Sequence, residues 1–322
     1  MNILVTGATG LIGNLVTRRA AFEGHQAYAL VRNPAQATHI KDVVAKMMVA
    51  DLFQPSSLEK GLEGMDAIVH CAGLVGSGRG AKEDYFRINV DGTLALARAA
   101  KSQGVKRFVF MSTAGVYGLN MLKGNVDETM SLSKGNAYTN SKIAAEQVVR
   151  ESGLEYVILR PYWVTGAGDR FLIPAVGAML RNETFTYLGD GQQEWSLSAM
   201  ENISGAAVLA ATHPKAGNQI YNVADGTVKV SDTVNVIAKA LRLPPPTRKS
   251  SAWSVGLQVL LHQSPRDPKH VMSIDLFFPL WRTMTLNSEK IRRELGWAPK
   301  VPWEESVTEG ALEWKRQIEA RS

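Results

Sequence analysis

Cysteine is nearly absent from this sequence, with Cys71 the single one in 322 residues. One cysteine cannot form a disulfide within the chain, so the fold does not depend on an oxidising compartment and we expect a cytoplasmic protein. The amino-terminal segment MNILVTG is strand-like and lacks the basic and apolar regions of a signal peptide. Apolar stretches near 252–261 and 274–281 are too short to span a bilayer.

Histidines with the spacing of metal ligands are also lacking, so we expect no structural metal site. The histidines are His25, His39, His70, His213, His262 and His270.

Charge is not concentrated in runs of one sign. The formal net charge is +6, but Lys and Arg are scattered along the chain. A nucleic-acid partner would need a basic stripe or a known module, and the sequence has neither. The excess fits an ordinary basic soluble protein; a second interpretation is a positive field that attracts an anionic cofactor. Repeats and low-complexity runs are missing too, which excludes solenoid and disordered proteins.

Short apolar runs alternate with helical patterns through the first half of the chain. This alternation predicts an α/β fold, a Rossmann-type doubly wound parallel sheet with helices on both faces. The runs lack polar alternation, as expected when both faces of the sheet are covered. The predicted strands are Ile3–Thr6, Ala27–Val31, Met47–Ala50, Ala67–His70, Arg107–Met111 and Tyr156–Leu159. The predicted helices lie at about 11–23, 56–62, 83–102 and 137–152.

The character of the sequence changes after Arg160–Pro161, where loops lengthen and Pro and Trp become commoner. We expect a Rossmann domain over 1–165 and a smaller, mostly helical C-terminal substrate-binding lobe over 166–322. The two are interleaved, because a strand near 219–223 returns to the sheet. Helical patterns in this half lie near 171–181, 200–212, 231–242, 251–262, 287–295 and 303–319.

Region 243–285 is rich in Trp, Phe and Leu. It has three interpretations: the core of the lobe, a cap over an apolar substrate pocket, or a surface that lies against a membrane.

Three glycines, Gly7, Gly10 and Gly13, follow the first predicted strand and lead into a helix. Glycines permit a tight turn and let a pyrophosphate approach the backbone and the helix N-terminus. At the first strand–helix junction of an α/β chain, this pattern predicts dinucleotide binding. The residues between the glycines are further candidate contacts: Thr9, Leu11 and Ile12.

The end of the second strand carries Arg32 and no acidic residue. An acid there holds the ribose 2′-hydroxyl of NAD, whereas Arg suits the 2′-phosphate of NADP. The sequence therefore favours NADP(H) over NAD, the alternative being that Arg32 is a solvated surface residue.

Tyr138 and Lys142 are four residues apart in a predicted helix, so they share one face. A free tyrosine has a pKa of about 10, and a nearby ammonium favours the phenolate. Such a tyrosine can give a proton to a carbonyl oxygen or take one from an alcohol. The pair therefore predicts acid/base catalysis by Tyr138, with Lys142 tuning it.

The glycine spacing G-x-x-G-x-x-G in TGATGLIG, together with YTNSK downstream, resembles the extended short-chain dehydrogenases/reductases, the NAD-dependent epimerase/dehydratase superfamily. The resemblance implies that Lys142 also binds the nicotinamide ribose. It makes Thr113, or alternatively Ser112, the hydroxyl that hydrogen-bonds the reacting oxygen. Asp51 would contact the adenine, and Asn89 would hold backbone and water geometry. The resemblance also implies cofactor contacts at Leu52, Cys71, Ala72, Gly73, Pro161 and Val164.

The residues after the G-x-G of the second half discriminate between branches of this superfamily. Nucleotide-sugar enzymes usually carry an Arg-Asp pair there, whereas this chain has Gln193 and Glu194. An amide and an acid bind a diphosphate poorly. Glu201-Asn202-Ile203 resembles the corresponding segment of the 3β-hydroxysteroid dehydrogenase and sterol-decarboxylase branch.

We therefore expect an NADP(H)-dependent oxidoreductase that transfers a hydride between the nicotinamide and a carbonyl or secondary alcohol of an apolar, steroid-like or polyketide-like substrate. The alternatives are a nucleotide-sugar epimerase or dehydratase with tightly bound NAD, and a non-catalytic NADP-sensing regulator. The resemblance implies a homodimer through the helices at 83–102 and 137–152. Membrane contact, if any, would be peripheral.

Overall fold

Seven of the strands form one parallel sheet in the computed structural model, which describes residues 1–76, 80–261 and 274–320. The strands are β1 (Asn2–Thr6), β2 (Gln26–Val31), β3 (Lys46–Val49), β4 (Ala67–His70), β5 (Arg107–Met111), β6 (Glu155–Pro161), β7 (Val164–Thr165), β8 (Tyr187–Leu188), β9 (Glu194–Ala199), β10 (Gln219–Val223), β11 (Gly226–Lys229) and β12 (Lys249–Ser250). The large sheet has the order β10-β6-β5-β4-β1-β2-β3. The predicted doubly wound sheet is confirmed, and all its carboxyl ends meet at one edge.

Helices cover both faces of this sheet. The α-helices of the whole described chain are α1 (Leu11–Phe22), α2 (Pro55–Leu62), α3 (Lys82–Phe86), α4 (Gly92–Ser102), α5 (Ala137–Glu151), α6 (Leu172–Arg181), α7 (Met200–Thr212), α8 (Val230–Leu241), α9 (Ala252–Leu261), α10 (Ile274–Trp281), α11 (Glu289–Leu295) and α12 (Trp303–Glu319). The single helix predicted over 83–102 is instead α3 and α4 joined by a π-helical turn, Arg87–Asp91. Such turns recur at functional sites, and this one carries Asn89.

Successive strand residues point to opposite faces, which explains the continuous apolar runs. In β1, Ile3 and Val5 pack against α1 and α7, whereas Leu4 packs in the cluster beneath α2, α4 and α5. Helix α7 belongs to the second half of the chain yet covers the sheet through small residues such as Ala206 and Ala210, both fully buried.

The second half builds its own core around α6, α8 and α12, with Trp195 fully buried. The indole of Trp195 donates to Thr233 Oγ1 at 3.0 Å. A three-stranded sheet, β11-β9-β7, and a two-stranded sheet, β12-β8, lie within this half. These short strands were not predicted from the sequence.

Residues 262–273 of the region 243–285, including His262 and His270, lie outside the described residues. Within the described ranges, helices long and apolar enough to cross a membrane are not found. The same part of the chain holds no group of three or more His, Cys, Asp or Glu side chains arranged around a common metal position.

Two partly buried carboxylates, Asp225 and Glu201, lie beside the end of β10 and the start of α7. Asp225 accepts a hydrogen bond from the Ala199 backbone N–H at 2.7 Å. Its other oxygen, like one oxygen of Glu201, is buried without a hydrogen-bond partner among the described residues. Burial, assisted by the charge of Glu201, raises the pKa of Asp225 to about 6.

Because the folded pKa of Asp225 exceeds its unfolded value, its contribution to stability is full in acid and is lost as the pH rises toward 6. Asp225→Asn keeps an acceptor for Ala199 and removes this titration. We expect its free energy of unfolding, measured by urea denaturation from pH 4 to 7, to fall less steeply with pH. The change in slope should correspond to a difference of at most about one bound proton between the folded and unfolded states. The control is Asp232→Asn, which removes the same charge from an exposed position; equal changes of slope in both variants would contradict the assignment.

Candidate active site

The loop between β1 and α1 packs directly on the segment that follows β4. Gly7 has a φ of +69°, and a Cβ placed on it would lie 2.7 Å from the Ala72 backbone N. A Cβ on Gly13 would lie 2.2 Å from the Gly7 carbonyl oxygen. Helix α1 begins after an extended Gly10, with no side-chain cap and no acid in its first turn. Free amides and a positive helix end beside accessible backbone fit the pyrophosphate of a dinucleotide.

His70 and two threonines tie the ends of β1 and β4 to α4. The imidazole Nδ1 lies 2.6 Å from Thr6 Oγ1, and Nε2 lies 3.0 Å from Thr93 Oγ1. Burial, with a smaller effect from the charge of Lys142, lowers the pKa of His70 to about 3. A neutral, doubly hydrogen-bonded imidazole positions the strand ends, in line with a packing role.

Asn89 holds the segment after β4 against α5. Its side-chain oxygen accepts from the Leu74 N–H at 2.7 Å, and its amide donates to the Leu74 carbonyl at 3.0 Å and to Ser141 Oγ at 2.9 Å. A Cβ on Gly73 would come within 2.9 Å of the same Asn89 oxygen. The segment Cys71–Gly73 is thereby fixed opposite the glycine loop.

Tyr138 lies in the first turn of α5, which Asn136 caps by accepting from the Thr139 N–H at 2.9 Å. The Tyr138 hydroxyl shares a hydrogen bond with the Thr113 side chain. Burial raises the pKa of Tyr138 to about 12, and the Thr113 hydrogen bond opposes that shift. The phenol is therefore protonated at neutral pH in this arrangement.

Lys142, one turn further along α5, reaches the end of β5. Its ammonium donates to the Met111 carbonyl at 2.8 Å and lies 4.5 Å from the centre of the Phe110 ring. It also lies 3.6 Å from where a Cβ on Gly73 would be. Burial lowers the pKa of Lys142 to about 8, against the opposing effects of Cys71 and Glu146. A cation here faces the strip between β4 and β5, where it can donate to a ribose.

The hydroxyls of Ser112 and Thr113 make different contacts. Ser112 donates to Glu146 Oε1 at 2.5 Å. Arg160 binds the same carboxylate through two nitrogens, at 3.0 Å and 2.5 Å, and donates to the Tyr117 hydroxyl at 2.8 Å. Ser112 thus belongs to a buried ionic network, whereas Thr113 accepts from the Gly115 N–H at 3.1 Å and interacts with the Tyr138 hydroxyl.

Arg32 and Asp51 follow β2 and β3, two neighbouring strands at one side of the sheet. Arg32 is exposed, and Asp51 accepts from the Phe53 N–H at 2.9 Å. Pro161 ends β6 and is buried, and Val164 begins β7 after Trp163, whose φ is +33°. All the predicted site residues therefore lie along the carboxyl edge of the sheet or on the helices that begin or pass there.

Three residues of the site were not predicted from the sequence: Thr6, Thr93 and Glu146. Glu146 continues the four-residue spacing of Tyr138 and Lys142 along α5, so an acid on the inner face of that helix was its signal. Thr6 and Thr93 gave no pattern that distinguishes them from other threonines.

The sequence profile of the NAD dependent epimerase/dehydratase family matches residues 3–224. The chain belongs to this family. It is thus an extended short-chain dehydrogenase/reductase with a nicotinamide cofactor, as predicted.

Relatives in this family carry different activities. A 4-hydroxy-2-methyl-3-oxo-4-farnesyl-3,4-dihydroquinoline-1-oxide ketoreductase of Stigmatella aurantiaca is 27% identical over 95% of both chains. The 2-alkyl-3-oxoalkanoate reductase of Stenotrophomonas maltophilia (strain K279a) is 28% identical over 95% of this chain and 97% of its own. The UDP-glucose 4-epimerase of Vibrio cholerae is 27% identical, covering 96% of this chain and 94% of the epimerase.

Among solved structures, MoeE5 in complex with UDP-glucose and NAD superposes with a TM-score of 0.75 at 23% identity, over 99% of this chain and 100% of its own. That likeness establishes the shared fold.

The Glu146–Arg160 pair generates a prediction on stability. Both side chains are almost fully buried, at 2% and 3% exposure. Glu146→Ala leaves the Arg160 charge without its partner, so we expect the free energy of unfolding to fall by about 3–5 kcal/mol in urea denaturation.

The matched control is Glu155→Ala, which breaks the pair with Arg107 at 2.7 Å, where the Glu155 side chain is 39% exposed. Arg107 keeps its bonds to the carbonyls of Ala210 and His213. We expect the free energy of unfolding to fall by about 1 kcal/mol or less in this control. Losses of equal size in the two variants would show that the buried Glu146–Arg160 pair contributes no more to stability than the partly exposed pair.

Proposed function

We propose that this protein is an NADP(H)-dependent reductase or dehydrogenase acting on a carbonyl or secondary alcohol of an apolar substrate. The observation that carries the proposal is the position of Lys142. Its ammonium lies at the end of β5, 3.6 Å from where a Cβ on Gly73 would be, one helical turn from Tyr138 and its neighbour Thr113. We further propose that residues 1–165 bind the cofactor together with β10, and that the rest of 166–322 forms the substrate lobe. The proposed location of the protein is the cytoplasm.

The glycine loop and Lys142 would hold the cofactor, whose nicotinamide would supply or accept the hydride. The chain's own residues handle the oxygen: Thr113 holds it by a hydrogen bond, and Tyr138 transfers the proton. A phenol whose pKa is raised to about 12 retains its proton at neutral pH, which suits donation to a carbonyl. Lys142, one helical turn along α5, would bind the ribose of the cofactor through its ammonium.

The apolar substrate class is supported by side chains near the carboxyl edge. Tyr162 and Phe278 pack against one cluster with Tyr117, and the Trp163 ring lies tilted beside that of Tyr162, with the ring centres 5.8 Å apart. The two reductase relatives act on a farnesylated quinoline oxide and on an alkyl-oxoalkanoate, by their names. Both names combine an oxo group with a hydrocarbon substituent, which apolar and aromatic side chains accommodate.

A second candidate, a nucleotide-sugar epimerase, is favoured by the relative from Vibrio cholerae. The arrangement around Gln193 weighs against it, because its amide donates to the Leu280 carbonyl within the lobe. This amide carries no charge, and its donor is already used by the Leu280 carbonyl, so it would bind a diphosphate poorly.

A homodimer is proposed through α3–α4 and α5. Apolar side chains on this side, including Phe86, Leu132, Ile143 and Ala144, line a groove that a second copy can cover.

Tyr138→Phe tests the catalytic proposal. We expect NADPH oxidation with a long-chain 3-oxoalkanoate to slow by about a hundredfold or more, because the general acid is lost while NADPH binding is kept. Thr113→Val should also slow turnover, whereas Ser112→Ala should mainly lower stability.

Calorimetric titration with NADPH verifies that the variants bind cofactor. Near-normal turnover by Tyr138→Phe would reject the mechanism. Interconversion of UDP-sugars by the parent protein with NAD, and no NADPH oxidation with the ketone, would favour the epimerase instead.

Arg32→Asp tests the cofactor preference. An acid at the end of β2 repels a 2′-phosphate and accepts from a 2′-hydroxyl, so we expect the ratio of kcat/KM for NADPH over NADH to fall by at least about tenfold. Arg18→Ala is the control for loss of a nearby positive charge. An unchanged ratio in Arg32→Asp would mean that this residue does not contact the cofactor.

A further inference from the structure

Helix α9 exposes a stripe of large apolar side chains. Trp253, Leu257, Leu260 and Leu261 are 81%, 61%, 61% and 67% exposed. Their spacing puts them on one face of the helix. Ala252 and Val259, on another face, are buried in the lobe core, so the orientation of α9 is set and the stripe points outward.

The sequence that precedes α9 is basic. Residues 233–261 contain no Asp or Glu, and they carry Lys239, Arg242, Arg248 and Lys249. On the neighbouring helix α10, the ring of Trp281 lies 6.0 Å from that of Trp253. The guanidinium of Arg282 stacks on Trp281 at 4.8 Å, so a further cation borders the stripe.

A second copy of the chain is a poor occupant for this face. Two α9 helices in contact would bring the basic segments that precede them together, with no carboxylate in 233–261 to pair with them. A ten-residue helix is about 15 Å long, and its four side chains fall well short of the roughly 800 Å² per partner that a stable interface buries.

We propose that α9 docks this protein onto an anionic lipid bilayer. Leu257, Leu260 and Leu261 enter the acyl boundary, Trp253 lies at the headgroup level, and the basic segment that precedes α9 pairs with lipid phosphates. The proposal goes beyond the enzymatic activity and does not depend on it.

The same pair of helices reaches the candidate active site. Gly256 of α9 packs against Phe277 of α10, where a Cβ would lie 2.9 Å from the ring. The next residue, Phe278, packs against both the lobe core and the cluster that includes Tyr162. The bilayer would therefore contact the outer side of α9 and α10, and α10 packs through Phe278 against the cluster that includes Tyr162.

Vesicle flotation with the full chain tests the docking. We expect the parent protein to float with vesicles of equal parts phosphatidylcholine and phosphatidylglycerol, and much less with phosphatidylcholine alone. Leu257→Gln with Leu260→Gln should weaken partitioning by about tenfold or more, because both side chains leave the acyl boundary. Arg248→Gln with Lys249→Gln should weaken binding to the anionic vesicles by about fivefold or more.

The matched control is Phe22→Gln, which removes an 85% exposed aromatic from the end of α1 and should leave flotation unchanged. Calorimetric NADPH binding and the melting temperature establish that each variant is folded. As a second measurement that needs no disruptive change, the vesicle-induced blue shift of Trp emission should shrink in Trp253→Phe.

The proposal is overturned if the parent protein does not float with the anionic vesicles, or if the double leucine variant floats as well as the parent. It is also overturned if Phe22→Gln causes the same loss. Sedimentation velocity adds one more decisive outcome: dissociation of a parent dimer by the leucine substitutions, without vesicle binding, would assign the stripe to a second copy.

Discussion

Glu146 accepts hydrogen bonds from Ser112 and Arg160 in a region that is almost dry, and this ion pair joins β5, α5 and β6. Through Tyr117 the network continues to Asn222 at 2.8 Å, and so to β10. Removing two charges from water is expensive and is compensated only when the geometry is good and the remaining lone pairs are used. The network meets that condition. Because Glu146 shares a helix face with Lys142 and Tyr138, it also fixes how α5 presents both.

The opposite flank of the site is held without any net charge. His70 stays neutral between Thr6 and Thr93, and Asn89 fixes the neighbouring segment by three hydrogen bonds. Amide and imidazole groups cost less to bury than ions when each donor and acceptor is satisfied. The side toward the cofactor loop is therefore held by neutral hydrogen bonds, and among the described residues Lys142 is the buried cation that faces it. That arrangement lets the charge of Lys142 act on a ligand without a competing histidine charge.

The strands of the large sheet were predictable because each is a short apolar run, and all seven were located to within one or two residues. The glycine loop was predictable because a tight turn beside a phosphate requires glycines at that spacing. The Tyr138–Lys142 pair was predictable because residues four apart share a helix face. The short strands β7, β9 and β11 were not, since two to six residues beside Trp195 carry no period that separates strand from loop. The contrast between Ser112 and Thr113 was also beyond the sequence, because it depends on how the chain turns after β5. Glu146 was missed for a different reason: an acid on a helix is ordinarily a solvated residue, and only its neighbours on two strands reveal its burial.

Charge is distributed unevenly between the two ends of the proposed ligand path, and this bears on what the site can hold. At the β2–β3 end, Arg32 is exposed beside an uncapped helix start, and the end of β2 has no acid. Toward the lobe, Gln193 is engaged with Leu280, and the nearby Arg282 stacks on the outer Trp281. A dinucleotide together with a nucleotide sugar would place phosphates at both ends of this path. Of these two surroundings, only the β2–β3 end offers a positive charge for them. An NADP molecule at the β2–β3 end with a hydrocarbon-rich carbonyl compound beside Tyr138 matches both, which is why the reductase is favoured over a nucleotide-sugar enzyme built on the same sheet.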